Sequence, residues 1–293
     1  MVSYKGEKVF KYGVASLIWT EDFSKDGVPL IAKAKSLGFD VIDISMTNTE
    51  KFPSKAVKKA AKDTGIEVVT TIGMPRDCNL IDPDPAIRKN GVNKLKSLVD
   101  INLEIDSKLL GGVIYAAWGY ISGKPRTEDE WKWSVEGMRK AGEYAKKTGD
   151  VVLAVEPVGR FESHFLNIAG DAVRYCKEVG TGNVKVHLDA FHMIREESSF
   201  KQAVETCGKE YLAYVHVCEN NRGIPGTGLV PWKEFFTALK IIGYTGALGI
   251  ESFDPSFKEI NRLAAIWRKY ADTGEELAIQ GLANLKKIEA TIK

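Results

Sequence analysis

Four side chains able to bind a hard divalent cation stand at or near the ends of four short apolar runs. VVLAVE ends at Glu156, NVKVHLD ends at Asp189, YLAYVHV carries His216 near its end, and ALGIES reaches Glu251. Three carboxylates and one imidazole form an oxygen-rich donor set that suits Mn²⁺, Mg²⁺ or Co²⁺ better than a thiolate-selective metal. Taken singly, a Glu or Asp at such a place reads as a loop cap or salt-bridge partner, and a His in YVHV as a hydrogen-bonded core residue. The coincidence is what points to a shared metal. Glu156 in VEPV, Asp189 in HLDAFH and Glu251 in IESF each break or end an apolar run. An unpaired buried charge there is costly, and one metal ion would neutralise several at once.

The elements that must position these groups are parallel strands. The first three runs are rich in Val, Leu and Tyr, the composition of a buried strand. ALGIES is shorter and contains Gly249, so its assignment rests on context. The four groups are separated by 33, 27 and 35 residues, close to the length of one strand–helix unit. In a barrel all four would lie at carboxyl ends of successive strands, on the rim where barrel active sites are built.

The rest of the chain alternates in the same way. KYGVASLIW (11–19) reads as strand one, FDVIDISM (39–46) as strand two, IEVVTTIG (66–73) as strand three and GGVIYAAW (111–118) as strand four. Between them, Pro29 opens a helix to Leu37 that Gly38 ends, and Pro53 opens another to about Thr64 that Gly65 stops. Residues 82–109 hold a helix whose apolar positions recur at helical spacing, and Thr127 caps one ending near Lys147. Strands five to eight fall at 151–156, 184–189, 211–217 and 247–251. The helices between them lie near 171–178, 199–207 and 231–242, and an amphipathic segment covers 260–292. Eight alternations predict an α/β fold, one (β/α)8 TIM barrel domain over 1–293. A doubly wound sheet would carry a Gly-rich fingerprint after strand one, and TEDFSKDG lacks it.

Composition excludes some partners. The 293 residues are 44% apolar and 27% charged with a net charge of +2, so neither nucleic acid nor an anionic membrane is expected. No run approaches the ~18 apolar residues of a membrane span. MVSYKGEKVF is too polar for a signal peptide. Cys78, Cys176, Cys207 and Cys218 show no CxxC pairing, which fits a reduced, cytoplasmic protein.

Further polar groups follow the strand ends: Glu162 in GRFESHFLN, His192 in DAFHM and Arg222 in ENNRGIPGTG. Trp118, Phe253 and Trp19, after strands four, eight and one, are placed to form apolar walls or to pack the barrel top. VEPVGRFE, HLDAFHM, HVCENNRGIPGTG and GIESF, together with LGFDVIDIS, GVIYAAW and AAIWRKYADTGEELA, resemble the ketose 3-epimerases, the D-tagatose, D-allulose (D-psicose) and L-ribulose 3-epimerase group of xylose-isomerase-like barrels. The likeness covers nearly the whole chain. It implies one divalent metal per subunit, usually Mn²⁺, Mg²⁺ or Co²⁺, held by Glu156, Asp189, His216 and Glu251. It also implies Glu162, His192 and Arg222 on the oxygens at C1 to C3 of a free ketose, and a homodimer or homotetramer. Two departures, Gly159 where relatives often carry Asn and Ala15 where some place an aromatic, bear on the far end of the sugar.

A C3 proton of a ketose is alpha to the C2 carbonyl, and a metal chelating O2 and O3 would stabilise the cis-enediolate left by its removal. Inversion needs acid/base groups on both faces, and Glu156 and Glu251 are the candidates. Pairs such as D-fructose/D-allulose, D-tagatose/D-sorbose and L-ribulose/L-xylulose fit this chemistry. An aldose–ketose isomerase of the hydroxypyruvate isomerase kind, a polyol dehydratase and a catalytically silent sugar-binding protein remain alternatives. A multi-zinc nuclease would need more than the four histidines present.

Overall fold

The computed structural model describes residues 10–292. The polar N-terminal stretch read above as no signal peptide lies, but for Phe10, outside them. Eight parallel strands close into a barrel in chain order: β1 (Lys11–Ala15), β2 (Val41–Ser45), β3 (Glu67–Gly73), β4 (Leu109–Val113), β5 (Val152–Val155), β6 (Val184–Asp189), β7 (Leu212–His216) and β8 (Ala247–Ile250). β8 pairs back onto β1 through Lys11–Ala247 to Val14–Ile250. β2 is buried at all five positions, as expected of strands covered on both faces.

Local chemistry sets the helix ends. The helix Glu128–Thr148 begins in a capping box: Glu130 N–H donates to Thr127 Oγ1 (3.2 Å) and Thr127 N–H to Glu130 Oε2 (2.7 Å). Gly65 ends the helix Ser54–Thr64 in the left-handed region that favours glycine. The expected 260–292 segment is two helices, Lys258–Ala264 and Gly274–Glu289, the first ended by Ala265 at φ 55°.

Three expectations shift. Strand one ends at Ala15, not at residue 19, and a 3₁₀ turn, Ser16–Ile18, follows it. Strand four ends at Val113, not at residue 118. Ile114 to Ala117 are buried without being strand, because the chain folds inward: Tyr115 Oη donates to the Glu156 carbonyl (3.0 Å) and Ala117 N–H to Asn79 Oδ1 (2.9 Å). A further helix, Ala190–Glu196, follows β6 directly, capped by Asp189 itself.

Candidate active site

Above the carboxyl ends of the strands lies a cavity of about 160 Å³ whose wall includes Glu156, Glu162, His192, Arg222 and Glu251. His216 ends β7, opposite Asp189 of β6 and Gly249 of β8. Glycine is required at 249, because a Cβ there would overlap Tyr214 Oη and crowd His216.

Below the cavity floor sits Asp43 of β2, fully buried. It accepts from Thr71 Oγ1 (2.8 Å), Tyr214 Oη (3.0 Å) and His216 Nε2 (2.9 Å). The Asp43 contact fixes a proton on Nε2 and turns Nδ1 towards the cavity. Among the described residues Nδ1 makes no hydrogen bond; it lies 3.5 Å from Glu251 Oε2 and 3.9 Å from Glu156 Oε1. Burial opposes the imidazolium, but Glu251 and Asp43 outweigh it and raise the His216 pKa well above the usual histidine range.

Arg222 supplies a positive charge in the middle of this cluster. Its Nη1 donates to Glu251 Oε2 (2.6 Å) and Asp189 Oδ2 (2.7 Å) and reaches Cys218 Sγ (3.0 Å). Asp189 is fixed from its other oxygen, which accepts from Phe191 N–H (2.8 Å). Arg222 has a left-handed backbone (φ 64°), unusual for a residue with a Cβ. The loop that imposes it hangs on buried Glu219, which accepts from Gly226 N–H (2.9 Å), Val230 N–H (3.1 Å) and Trp232 Nε1 (3.0 Å).

Glu156 is held differently. Its carboxylate makes no hydrogen bond among the described residues; its nearest nitrogens are His187 Nδ1 (3.7 Å), His192 Nε2 (3.9 Å) and His216 Nδ1 (3.9 Å). Burial pushes its pKa well up, with the charges of Glu251 and Asp189 adding and that of His216 opposing. Glu251 goes the other way: burial would raise it, but His216 and Arg222 pull it well below the carboxylate range. Two carboxylates near one imidazole are thus pushed apart, the pattern that separates acid from base.

His192 Nδ1 accepts from Gly159 N–H (3.0 Å), its Nε2 lies 3.4 Å from Arg222 Nη2, and burial lowers its pKa. Glu162 Oε2 accepts from Trp118 Nε1 (2.7 Å), and the Trp118 ring lies against Gly73, where a Cβ would meet it at 2.7 Å. Trp118 and Phe253 line the cavity as expected. Trp19 does not. The 3₁₀ turn Ser16–Ile18 sends Leu17 to the cavity wall and leaves Trp19 outside, beneath the Lys33 ammonium (5.0 Å from the ring centre).

The donor set fits a divalent cation. An unpartnered His216 Nδ1 faces two carboxylates, and a guanidinium nitrogen stands between Asp189 and Glu251. Asp189, His216, Cys218 and Glu251 place donor atoms within 4.8 Å of one another; Glu156 joins such sets with His187 and His216, and with Asp189 and His192. Three of the expected ligands, Asp189, His216 and Glu251, thus share one set with Cys218 as an unforeseen neighbour, while Glu156 shares sets with His216 and with Asp189 but none with Glu251. Asp43 also went unread; its signal is an acid in mid-strand, in VIDIS, flanked by buried aliphatics.

The xylose isomerase-like TIM barrel family matches residues 31–288, and the chain belongs to that family. Within it the similarity narrows to ketose 3-epimerases. The D-psicose 3-epimerase of Agrobacterium fabrum is 34% identical over 262 residues, 88% of this chain and 90% of that protein. The L-ribulose 3-epimerase of Mesorhizobium japonicum is 31% identical over 262 residues, 88% and 87% of the two chains. The crystal structure of D-allulose 3-epimerase from Methylomonas sp. in complex with D-allulose superposes with a TM-score of 0.90 at 28% identity, covering 96% of this chain and 97% of that one. Among the described residues no helix is long and apolar enough to cross a membrane.

Proposed function

We propose that the protein is a divalent-metal-dependent ketose 3-epimerase acting on free ketoses, with Mn²⁺ as its preferred ion. The observation that carries this reading is the pair Glu156 and Glu251. Both flank His216 Nδ1 at the barrel rim, and their surroundings push them in opposite directions. Binding a sugar needs no such pair, whereas inverting a carbon acid needs one group to take a proton and another to return it.

Glu156, Asp189, His216 and Glu251 would hold the cation, which when bound supplies Lewis-acid polarisation of the ketose carbonyl. Asp43 keeps the His216 ring in register through Nε2. Glu251 would take the C3 proton. Glu156 would give one to the opposite face, and the two would exchange roles in the reverse direction. The His192 imidazole and the Arg222 guanidinium would orient the C1 to C3 oxygens, with Glu162 accepting from a sugar hydroxyl. Leu17, Trp118 and Phe253 cover the carbon skeleton and exclude water from the reacting carbon. The four free cysteines support a reducing, cytoplasmic setting.

The test is turnover of D-fructose, D-tagatose and L-ribulose by chelator-stripped protein, with and without Mn²⁺, and with products resolved chromatographically. Mn²⁺-dependent C3 epimers are expected. Aldose products would instead make the protein an aldose–ketose isomerase. Sugar affinity without turnover under any divalent ion would make it a binding protein.

A further inference from the structure

We propose that the cavity carries a second, thiophilic donor set, in which Cys218 stands in for Glu156 and binds Zn²⁺ or Cd²⁺ together with Asp189, His216 and Glu251. This rests on the reading of the cluster as a metal site and adds the one donor which that reading leaves unused.

Three observations support it. Cys218 follows His216 by two residues, so the alternation of β7, continued past its end, returns the side chain to the barrel interior. The residue is fully buried, and its Sγ lies 3.0 Å from Arg222 Nη1, the atom that also meets Asp189 and Glu251. One position is therefore within reach of sulfur and both carboxylates. Finally, among the described residues the sets of converging donors that contain Glu156 have three members, whereas the set with Cys218 has four.

The two sets share three ligands and differ in softness. An oxygen-seeking ion gains most from Glu156 as its further ligand, whereas a thiophilic ion gains most from sulfur in a four-coordinate arrangement. On binding, the Cys218 thiol releases its proton to solvent as the metal–sulfur bond forms, and the Arg222 guanidinium gives up its place between the carboxylates. Glu156 is then left without a metal bond. A thiophilic ion so held competes with Mn²⁺ and inhibits turnover, so Cys218 acts as a determinant of metal choice.

The experiment titrates chelator-stripped protein with Cd²⁺ and follows the ultraviolet charge-transfer absorption of a cadmium–thiolate bond. Mn²⁺ binding is measured in parallel by equilibrium dialysis. The expected result is a band saturating at one equivalent in the wild type and in Cys176→Ser, a buried thiol on an outer helix. The band is absent in Cys218→Ser and Cys218→Ala, Cd²⁺ affinity falls at least about tenfold, and Mn²⁺ affinity is unchanged. Should both variants fail to fold, X-ray absorption at the cadmium edge of wild-type protein carrying one equivalent of Cd²⁺ decides the matter: a sulfur neighbour supports the proposal, and oxygen and nitrogen neighbours alone overturn it. Cd²⁺ binding without a band, or a full band in Cys218→Ser, overturns the proposal and leaves the Mn²⁺ site standing. Binding of neither ion overturns both.

Discussion

The two sides of the cavity hold their charges in different ways. On the β6–β8 side, Asp189, His216 and Glu251 are tied to Phe191 N–H, Asp43 and Arg222 by hydrogen bonds of 2.6–2.9 Å. On the β5 side, Glu156 has three imidazoles at 3.7–3.9 Å and no hydrogen bond among the described residues. The first side is preorganised and holds the Glu251 pKa well below the carboxylate range. The second is desolvated with only partial compensation from His216 and Arg222, and burial pushes the Glu156 pKa up. One barrel rim thus sets two glutamates in opposite surroundings, by where hydrogen bonds are supplied.

Substitution of the two carboxylates challenges this contrast most severely. Glu156→Gln and Glu251→Gln should each lower kcat by roughly 10²–10⁴-fold or more, since each removes one proton-transfer group. Their stabilities should separate. Glu251→Gln leaves buried Arg222 undercompensated and should cost the metal-free protein about 1–3 kcal/mol in urea unfolding. Glu156→Gln replaces a buried carboxyl that has no hydrogen-bond partner among the described residues with a neutral amide, and should cost nothing or stabilise. Equal losses in the two variants would break the comparison.

Asp43→Asn tests the ordered side from beneath. Loss of the group that orients His216 should weaken Mn²⁺ binding by roughly 10–100-fold, measured by equilibrium dialysis. A smaller effect is expected on the loop that carries Arg222. Glu219→Ala orphans the N–H donors gathered on that side chain and should destabilise by about 1–3 kcal/mol, with KM for the ketose rising as Arg222 loses its place. Smallest is a matched pair at the cavity wall. Leu17→Ala should raise KM by roughly tenfold, the scale of a lost apolar contact, while Trp19→Ala leaves KM unchanged. A reversed order would return Trp19 to the cavity.

The barrel and its rim residues were legible because strand composition and the strand–helix repeat are local signals. What stayed hidden depends on contacts across the barrel. Asp43 and His216 are 173 residues apart, and only closure of the sheet brings the β2 acid under the β7 imidazole. GGVIYAAW read as one strand because Ile114 to Ala117 are as buried as strand residues, and periodicity does not separate a buried loop from a buried strand. The helix at Ala190 was missed because its cap is Asp189, a residue already assigned to metal binding. Trp19 was placed by its distance from strand one, and the 3₁₀ turn after Ala15 alters which side chain faces inward.

The most direct test of the central claim is where solvent hydrogen enters the sugar. D-Fructose, or whichever ketose turns over best, would be incubated in D₂O with Mn²⁺-loaded protein and the products examined by NMR. Proton exchange between Glu156, Glu251 and solvent predicts deuterium at C3 of the epimeric ketose and none at C1. Deuterium at C1 or C2, with aldose formed, would contradict the account.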